Sequence, residues 1–136
     1  MNLWEWGNMY FKQKTGKIGE DIATKYLEQS GYEIIQRNFE CKQGEIDIIA
    51  KDKDEIVFIE VKTRSSALYG QPKDAVDETK QKHIYNSAEF YIYIRHLENF
   101  PVRIDVIEVY KKQGKIKVHH IKNAITEKPY RKKLLY

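Results

Sequence analysis

Cysteine is almost absent from this chain. Cys41 is the only one in 136 residues, which excludes an internal disulfide and any metal site built from several cysteine ligands. No apolar run approaches the roughly 18 residues that a membrane-spanning helix needs. The N-terminus also lacks the basic and apolar blocks of a secretory signal. We therefore expect a soluble, cytoplasmic protein without a membrane partner, in which Cys41 is an ordinary strand residue.

Acidic residues are scarce near the C-terminus. Residues 111–136 contain nine Lys or Arg and one acid, Glu127, for a net charge of +8, whereas residues 1–110 carry −4. A basic tail suits a polyanion partner, because neutralising phosphates releases counterions. Such tails also serve solubility alone, so this feature only favours nucleic acid slightly.

The length and the apolar content of 41% allow one sizeable core. We predict a single domain over residues 12–122, preceded by an aromatic segment at 1–11 and followed by the basic tail at 123–136. The aromatic segment is expected to pack on its own domain or on a second subunit.

Hydrophobic periodicity predicts an α/β fold in the order α-β-β-β-α-β-β. Helices are predicted at 15–30 and 74–95, and strands at 32–40, 45–51, 55–63, 102–110 and 115–121. The second and third strands are apolar on both faces, so we expect a mixed five-stranded sheet with helices on both sides.

Charged residues interrupt these two apolar strands. Asp47 lies in the second, and Glu60 and Lys62 share one face of the third because side chains alternate along a strand. A tight turn at 52–54 would bring Asp47 opposite either Ile59 or Glu60, and only the second register brings the three charges together. Two carboxylates so close would favour a hard cation such as Mg²⁺ between them.

Two further groups fit this interpretation. Lys62 beside a cation and a phosphate could orient the attacking water and offset charge in the transition state. Glu20 falls on the rim of the apolar face of the first helix. The alternatives remain open: a cross-strand salt bridge for Lys62, and a solvated first-turn acid for Glu20.

Asp47, Glu60-x-Lys62 and an upstream helical Glu20 resemble the PD-(D/E)XK nuclease superfamily, although Ile46 stands where the motif has proline. More closely, the chain resembles the uncharacterised YraN-type family, which is similar to archaeal Holliday junction resolvases. The motifs that carry this resemblance are Gly16-Lys-Ile-Gly19-Glu20, Gly31-Tyr32, Arg37-Asn38-Phe39, Gly44-Glu45-Ile46-Asp47, Phe58-Ile59-Glu60-Val61-Lys62-Thr63-Arg64 and Arg103-Ile104-Asp105-Val106.

The resemblance implies a restriction-endonuclease-like core and a role for each motif residue. Asp47, Glu60 and the Val61 carbonyl would bind Mg²⁺, with Mn²⁺ as the alternative metal. Lys62 would be catalytic, and Glu20 would act through water or the metal.

Other charged residues and histidines have separate predicted roles. Arg64 and Lys80 are candidate contacts to DNA phosphates. His119 and His120 lie on opposite faces of the last strand and are expected to be strand residues instead of zinc ligands. Arg103 and Asp105 are expected to form an internal ion pair.

Together these features predict a Mg²⁺-dependent DNA endonuclease, with branched DNA as a candidate substrate and a homodimer as a candidate assembly. One alternative is a nucleic-acid-binding module that keeps the fold but cleaves little. Another is a non-enzymatic protein-interaction domain.

Overall fold

The computed structural model describes residues 15–64 and 77–126, which form two helices and a five-stranded sheet. The elements are α1 (Thr15–Gln29), β1 (Glu33–Cys41), β2 (Gly44–Asp52), β3 (Glu55–Arg64), α2 (Glu78–Arg95), β4 (Val102–Lys112) and β5 (Lys115–Ile121). The predicted fold class and element order are therefore confirmed. The aromatic segment 1–11, the first residues predicted for the second helix and most of the basic tail lie outside the described residues.

The sheet order follows the chain, β1-β2-β3-β4-β5. Only the β3–β4 pair is parallel, because α2 carries the chain back across the sheet between these strands. The other three neighbouring pairs are antiparallel. The sheet is thus mixed, as the sequence predicted.

Each face of the sheet is covered by one helix, which explains why its central strands are apolar on both sides. Ile22 and Leu27 of α1 pack with Ile48, Val57 and Ile59 on one face. On the other face, Ile84, Ala88 and Tyr91 of α2 pack with residues that include Phe58 and Ile104. Burial of each large apolar side chain contributes about 1.5–3 kcal/mol, so these two clusters hold the layers together.

The helix ends follow from local chemistry. Gly31, with φ at 92°, allows the chain to leave α1. At the start of α2, the Asp77 side chain accepts a hydrogen bond of 2.8 Å from the Lys80 amide. This cap fixes the first turn of α2, where Lys80 lies. No helix within the described ranges is long and apolar enough to cross a membrane.

The β2–β3 ladder resolves the register that the sequence left open. Asp52 pairs with Glu55 and Ile48 pairs with Ile59, so the same register continued by one position brings Asp47 opposite Glu60. The paired positions, which end at Ile48 and Ile59, therefore follow the register that would unite the charges.

Simple alternation, however, does not explain how Asp47 reaches the other charges. Arg37 and Ile48 face α1, whereas the next pair along, Phe39 and Ile46, faces α2. The alternation breaks between these pairs at Asn38, whose φ of 54° is the left-handed conformation that asparagine tolerates better than most residues. Asp47 lies at this break, and its Oδ2 atom accepts a hydrogen bond of 2.8 Å from the Val61 amide.

Candidate functional site

Three carboxylates from three elements converge at one end of the sheet. Glu20 comes from the buried rim of α1, Asp47 from the break in β2 and Glu60 from β3. Burial and, to a smaller extent, the nearby Asp47 carboxylate together raise the pKa of Glu60 to about 8. Burial and the same Asp47 charge raise the pKa of Glu20 to about 7. Both acids therefore lie where their charged forms are unfavourable.

Cationic side chains lie near these acids but form only long ion pairs with them. Lys80 Nζ lies 3.7 Å from Glu60 Oε2, and Arg37 Nη2 lies 3.8 Å from Glu20 Oε1. The charge of Lys62 also lowers the pKa of Glu60, against the larger effects that raise it. Arg37 is held mainly by Asp21, at 2.6 Å. The structure thus brings Glu20, Asp47, Glu60, Lys62 and Lys80 into one site.

The donor atoms fit a hard cation with few protein ligands. Glu60 is 4% exposed, and its Oε1 atom is buried without a hydrogen-bond partner. A buried oxygen without a partner is costly unless something else satisfies it. In residues 15–64 and 77–126, no three His, Cys, Asp or Glu side chains form a metal-binding group. Mg²⁺ suits such a site, because it often takes only one or two carboxylates and completes its shell with carbonyls, water and substrate phosphate.

Arg64 forms a buried ion pair with Glu108, which is not one of the three converging carboxylates. Its Nε donates a hydrogen bond of 3.0 Å to Glu108 Oε2, and His119 Nδ1 lies 2.9 Å from the other oxygen of Glu108. Glu108 was not among the residues predicted from sequence. A signal was present, since Glu108, like Asp105, is an acid within the apolar run of β4.

A polar pocket borders the site on the α2 face of the sheet. Its volume is about 350 Å³, and its lining residues are Glu40, Cys41, Gly44, Glu45, Lys80 and His83. Lys80 is shared between this pocket and the ion pair with Glu60. Periodicity could not reveal the pocket, because it forms between the β1–β2 hairpin and a helix distant in sequence.

The remaining polar predictions concern the opposite face of the sheet. The ion pair of Arg103 with Asp105 is confirmed, at 3.0 Å. His120 Nε2 lies 2.7 Å from Asp105 Oδ2, so this histidine has a partner inside the fold. Both histidines of β5 therefore contact a buried acid on their own face of the sheet.

Similar proteins are found in several bacteria. A UPF0102 protein of Caldanaerobacter subterraneus subsp. tengcongensis is 47% identical over 116 residues, which cover 83% of this chain and 95% of that protein. A UPF0102 protein of Caldicellulosiruptor saccharolyticus is 45% identical over 115 residues, with coverage of 83% and 98%. One from Clostridium botulinum is 54% identical over 101 residues, with coverage of 74% and 82%.

Among solved structures, that of Pyrococcus furiosus SfsA in complex with Ca²⁺ gives a distant match. The TM-score is 0.39 and the identity 14%, over 79% of this chain and 62% of that chain, so the match spans less than two thirds of SfsA.

The profile of the Uncharacterised protein family UPF0102 matches residues 19–109, a range that contains all the carboxylates of the site together with Lys62 and Lys80. The YraN-type resemblance is thereby confirmed at the level of the family, and the chain belongs to UPF0102.

Proposed function

We propose that this protein is a metal-dependent endonuclease that hydrolyses DNA phosphodiester bonds, with branched or junction DNA as its candidate substrate. The observation that carries the proposal is the buried Glu60 beside Asp47 and two lysines, a position in which burial and, to a smaller extent, the Asp47 charge raise the pKa of Glu60 to about 8. A purely structural ion pair would not need the second carboxylate, which is repelled by the first.

The acids support binding of a divalent cation at this site. At neutral pH the raised pKa keeps Glu60 largely protonated, so the site as it stands cannot carry its full negative charge. Asp47, Glu60 and the Val61 carbonyl would hold Mg²⁺ or Mn²⁺, and both carboxylates would then remain ionised. When bound, such a cation polarises a phosphoryl oxygen and lowers the pKa of its water.

The chain's own groups supply the remaining parts of a hydrolysis site. The Lys62 ammonium can orient the attacking water and offset the charge that develops on the phosphate. The Glu20 carboxyl, with a pKa of about 7, can exchange a proton with water near neutral pH. Lys80 would lose its attraction to Glu60 once a cation neutralises that acid, and its ammonium would become available to a substrate phosphate.

Charge toward the C-terminus supports a nucleic-acid partner. The last 26 residues carry a net charge of +8, which favours binding to a polyanion. A homodimer with two-fold symmetry would present two such sites to the two strands of a duplex or a junction.

The test compares cleavage by two variants with that by two matched controls. Labelled linear, supercoiled and four-way-junction DNA is incubated with Mg²⁺, Mn²⁺ or chelator. Asp47→Asn and Lys62→Ala are expected to lower the rate about 100-fold or more while DNA binding changes little. Asp54→Asn and Lys25→Ala remove the same charges at exposed positions and should cleave like wild type.

A second candidate function is a nucleic-acid-binding module that does not cleave. One observation favours it: Lys80 already neutralises part of the charge of Glu60. Wild-type protein that binds DNA but cuts no substrate with either metal would establish this alternative. Absence of both binding and cleavage would favour a protein-interaction domain.

A further inference from the structure

A polar row crosses the α2 face of the sheet next to the candidate site. Lys62 of β3 is aligned with Glu108 of β4, and Glu108 is aligned with His119 of β5. Glu60 precedes Lys62 on the same face, and its neighbour Val106 packs in the apolar cluster under α2. The row therefore begins where this apolar cluster ends, beside the carboxylates.

Glu108 is the organising group of this row. Its side chain is 1% exposed, and its two oxygens are held separately, one by Arg64 Nε at 3.0 Å and the other by His119 Nδ1 at 2.9 Å. Because a carboxylate paired with arginine only accepts hydrogen bonds, Nδ1 of His119 must be the donor. The other ring nitrogen, Nε2, is then directed away from Glu108, on a side chain that is 48% exposed. Nε2 donates to an anion in the protonated ring, in which both nitrogens carry hydrogen.

The pairing with Glu108 leaves one N–H group of Arg64 without a hydrogen-bond partner in the described structure. Its side chain is 14% exposed, and its Nη2 atom is buried without a hydrogen-bond partner in the described structure. A buried donor left unpaired on a cation is costly, and an acceptor for this N–H group would remove that cost. Lys62 is adjacent in the row, so an anion bound beside Arg64 and His119 would lie near two permanent cations.

We propose that Arg64 and His119, oriented by Glu108, form a binding site for a backbone phosphate of the nucleic-acid strand, next to the phosphate that Lys62 faces. This inference rests on the proposed nuclease function and specifies how its substrate is held. Arginine is suited to phosphate because it presents several N–H groups in a planar fork. Glu108 is a positioning residue, since it fixes the two donors without touching the ligand.

The spacing of the strands supports a phosphate adjacent to the scissile one. Neighbouring strands lie about 4.8 Å apart, so β5 is roughly 10 Å from β3 across the sheet. A phosphate between Arg64 and His119 would thus lie within a nucleotide or two of a phosphate at Lys62. β5 would then contribute a substrate contact in addition to extending the sheet.

The first test observes His119 directly by NMR. Its ring signals, identified by their loss in His119→Gln, are followed during titration of the full chain with inorganic phosphate and with a short single-stranded DNA. Both probes should shift the His119 signals and leave those of the exposed His96 unchanged. Arg64→Lys keeps the charge and the pair with Glu108 but loses the fork, and it should weaken the response to phosphate several-fold.

The second test measures DNA affinity without cleavage, in the presence of chelator. His119→Gln and Arg64→Lys should each weaken binding roughly 5- to 10-fold, the loss expected for one charge-assisted hydrogen bond. Lys25→Gln, on the helix that covers the opposite face, should change binding less than about twofold. Thermal unfolding of each variant shows whether the fold is retained.

The outcomes separate this inference from the proposed function. The inference is overturned if His119 does not respond to either probe, if the response is independent of Arg64, or if both variants bind DNA like wild type. If wild type cleaves DNA and any of these results is found, the proposed nuclease function is retained and only the phosphate site is rejected. A response that depends on Arg64, with weakened DNA binding and no cleavage, would retain the site and refute the nuclease.

Discussion

Glu60 is a carboxylic acid in a position where its charged form is unfavourable. Burial is the larger cause, and the Asp47 carboxylate adds to it, so that the pKa rises from 4.5 to about 8. Lys80 and Lys62 act in the opposite direction but do not compensate. Proteins tolerate such groups mainly where the charge has a use, which makes Glu60 the residue whose titration most directly reports on the site.

Replacement of Glu60 by Gln should change how stability depends on pH. In the folded wild type Glu60 keeps its proton between pH 4.5 and about 8, whereas in the unfolded chain it has lost it. Folded protein therefore binds more protons in this window, and the free energy of unfolding falls as pH rises through it. Without divalent cations, we expect wild type to lose roughly 2–4 kcal/mol more than Glu60→Gln between pH 5 and 9.

Urea unfolding at several pH values, with chelator present, measures this difference. Asp54→Asn serves as the control, because it removes an exposed carboxylate and should follow wild type. Parallel pH curves for wild type and Glu60→Gln would show that Glu60 is already ionised in the folded protein, and the charge argument for a cation would then fail.

At the scale of elements, the first hairpin departs from regular alternation to place one side chain. Asn38 takes a left-handed conformation. On one side of it, Arg37 and Ile48 face α1, and on the other side, Phe39 and Ile46 face α2. The side chain of Asp47, at the break, accepts the Val61 amide proton instead of joining either apolar face. Irregular strand positions of this kind frequently re-aim a side chain near a functional site.

Helix α1 approaches β3 so closely that one residue has no room for a side chain. A Cβ atom on Gly19 would collide with Thr63 Oγ1 and come within 3.3 Å of Thr63 Cβ. We expect Gly19→Ala to destabilise the protein by about 1–3 kcal/mol, because overpacking outweighs the gain of about 1 kcal/mol in helix propensity. The helix would shift away from the sheet, and Glu20 would move with it.

A double-mutant cycle with Thr63→Ala measures this close approach by urea unfolding. Removing Oγ1 should recover part of the loss in Gly19→Ala, so that the two changes are not additive. Lys17→Ala, at an exposed position of the same helix, should remain within about 0.5 kcal/mol of wild type. A Gly19→Ala variant as stable as wild type would mean that α1 tolerates a wider spacing from β3.

At the scale of the whole molecule, the sequence predicted the layers but not the interior polar links. The order of elements followed from periodicity, because α1 and the central strands have clear apolar patterns. The residue opposite Asp47 could not be predicted, because it changes when the β2–β3 turn is one residue longer or shorter. The break at Asn38 depends on a backbone conformation that no sequence pattern encodes. The pairing of Glu108 with Arg64 and His119 spans three strands, so it required tertiary structure to be seen.

Arg103 likewise makes more hydrogen bonds than the ion pair with Asp105 that the sequence predicted. Besides Asp105, its guanidinium donates to Asp52 and Glu55 at the β2–β3 turn and to the Tyr32 hydroxyl after α1. Burial would raise the pKa of the Asp105 carboxyl, but hydrogen bonds with His120 and Arg103 hold it below its ordinary value. Asp105 also accepts the Asn123 amide proton, which ties the chain after β5 to the sheet.

Removal of Arg103 should therefore weaken the whole domain. In Arg103→Ala the fully buried Asp105 loses its permanent cation, and breaking a buried pair in this way costs about 3–5 kcal/mol. Urea unfolding should show this loss, and Asp105→Asn in the same chain should restore part of it, because the unpaired charge is then absent. Lys25→Ala, which removes an exposed charge, should be nearly neutral. A loss below about 1 kcal/mol for Arg103→Ala would mean that His120 and the Asn123 amide suffice to hold Asp105, and that the turn, α1 and β5 are connected through the apolar clusters alone.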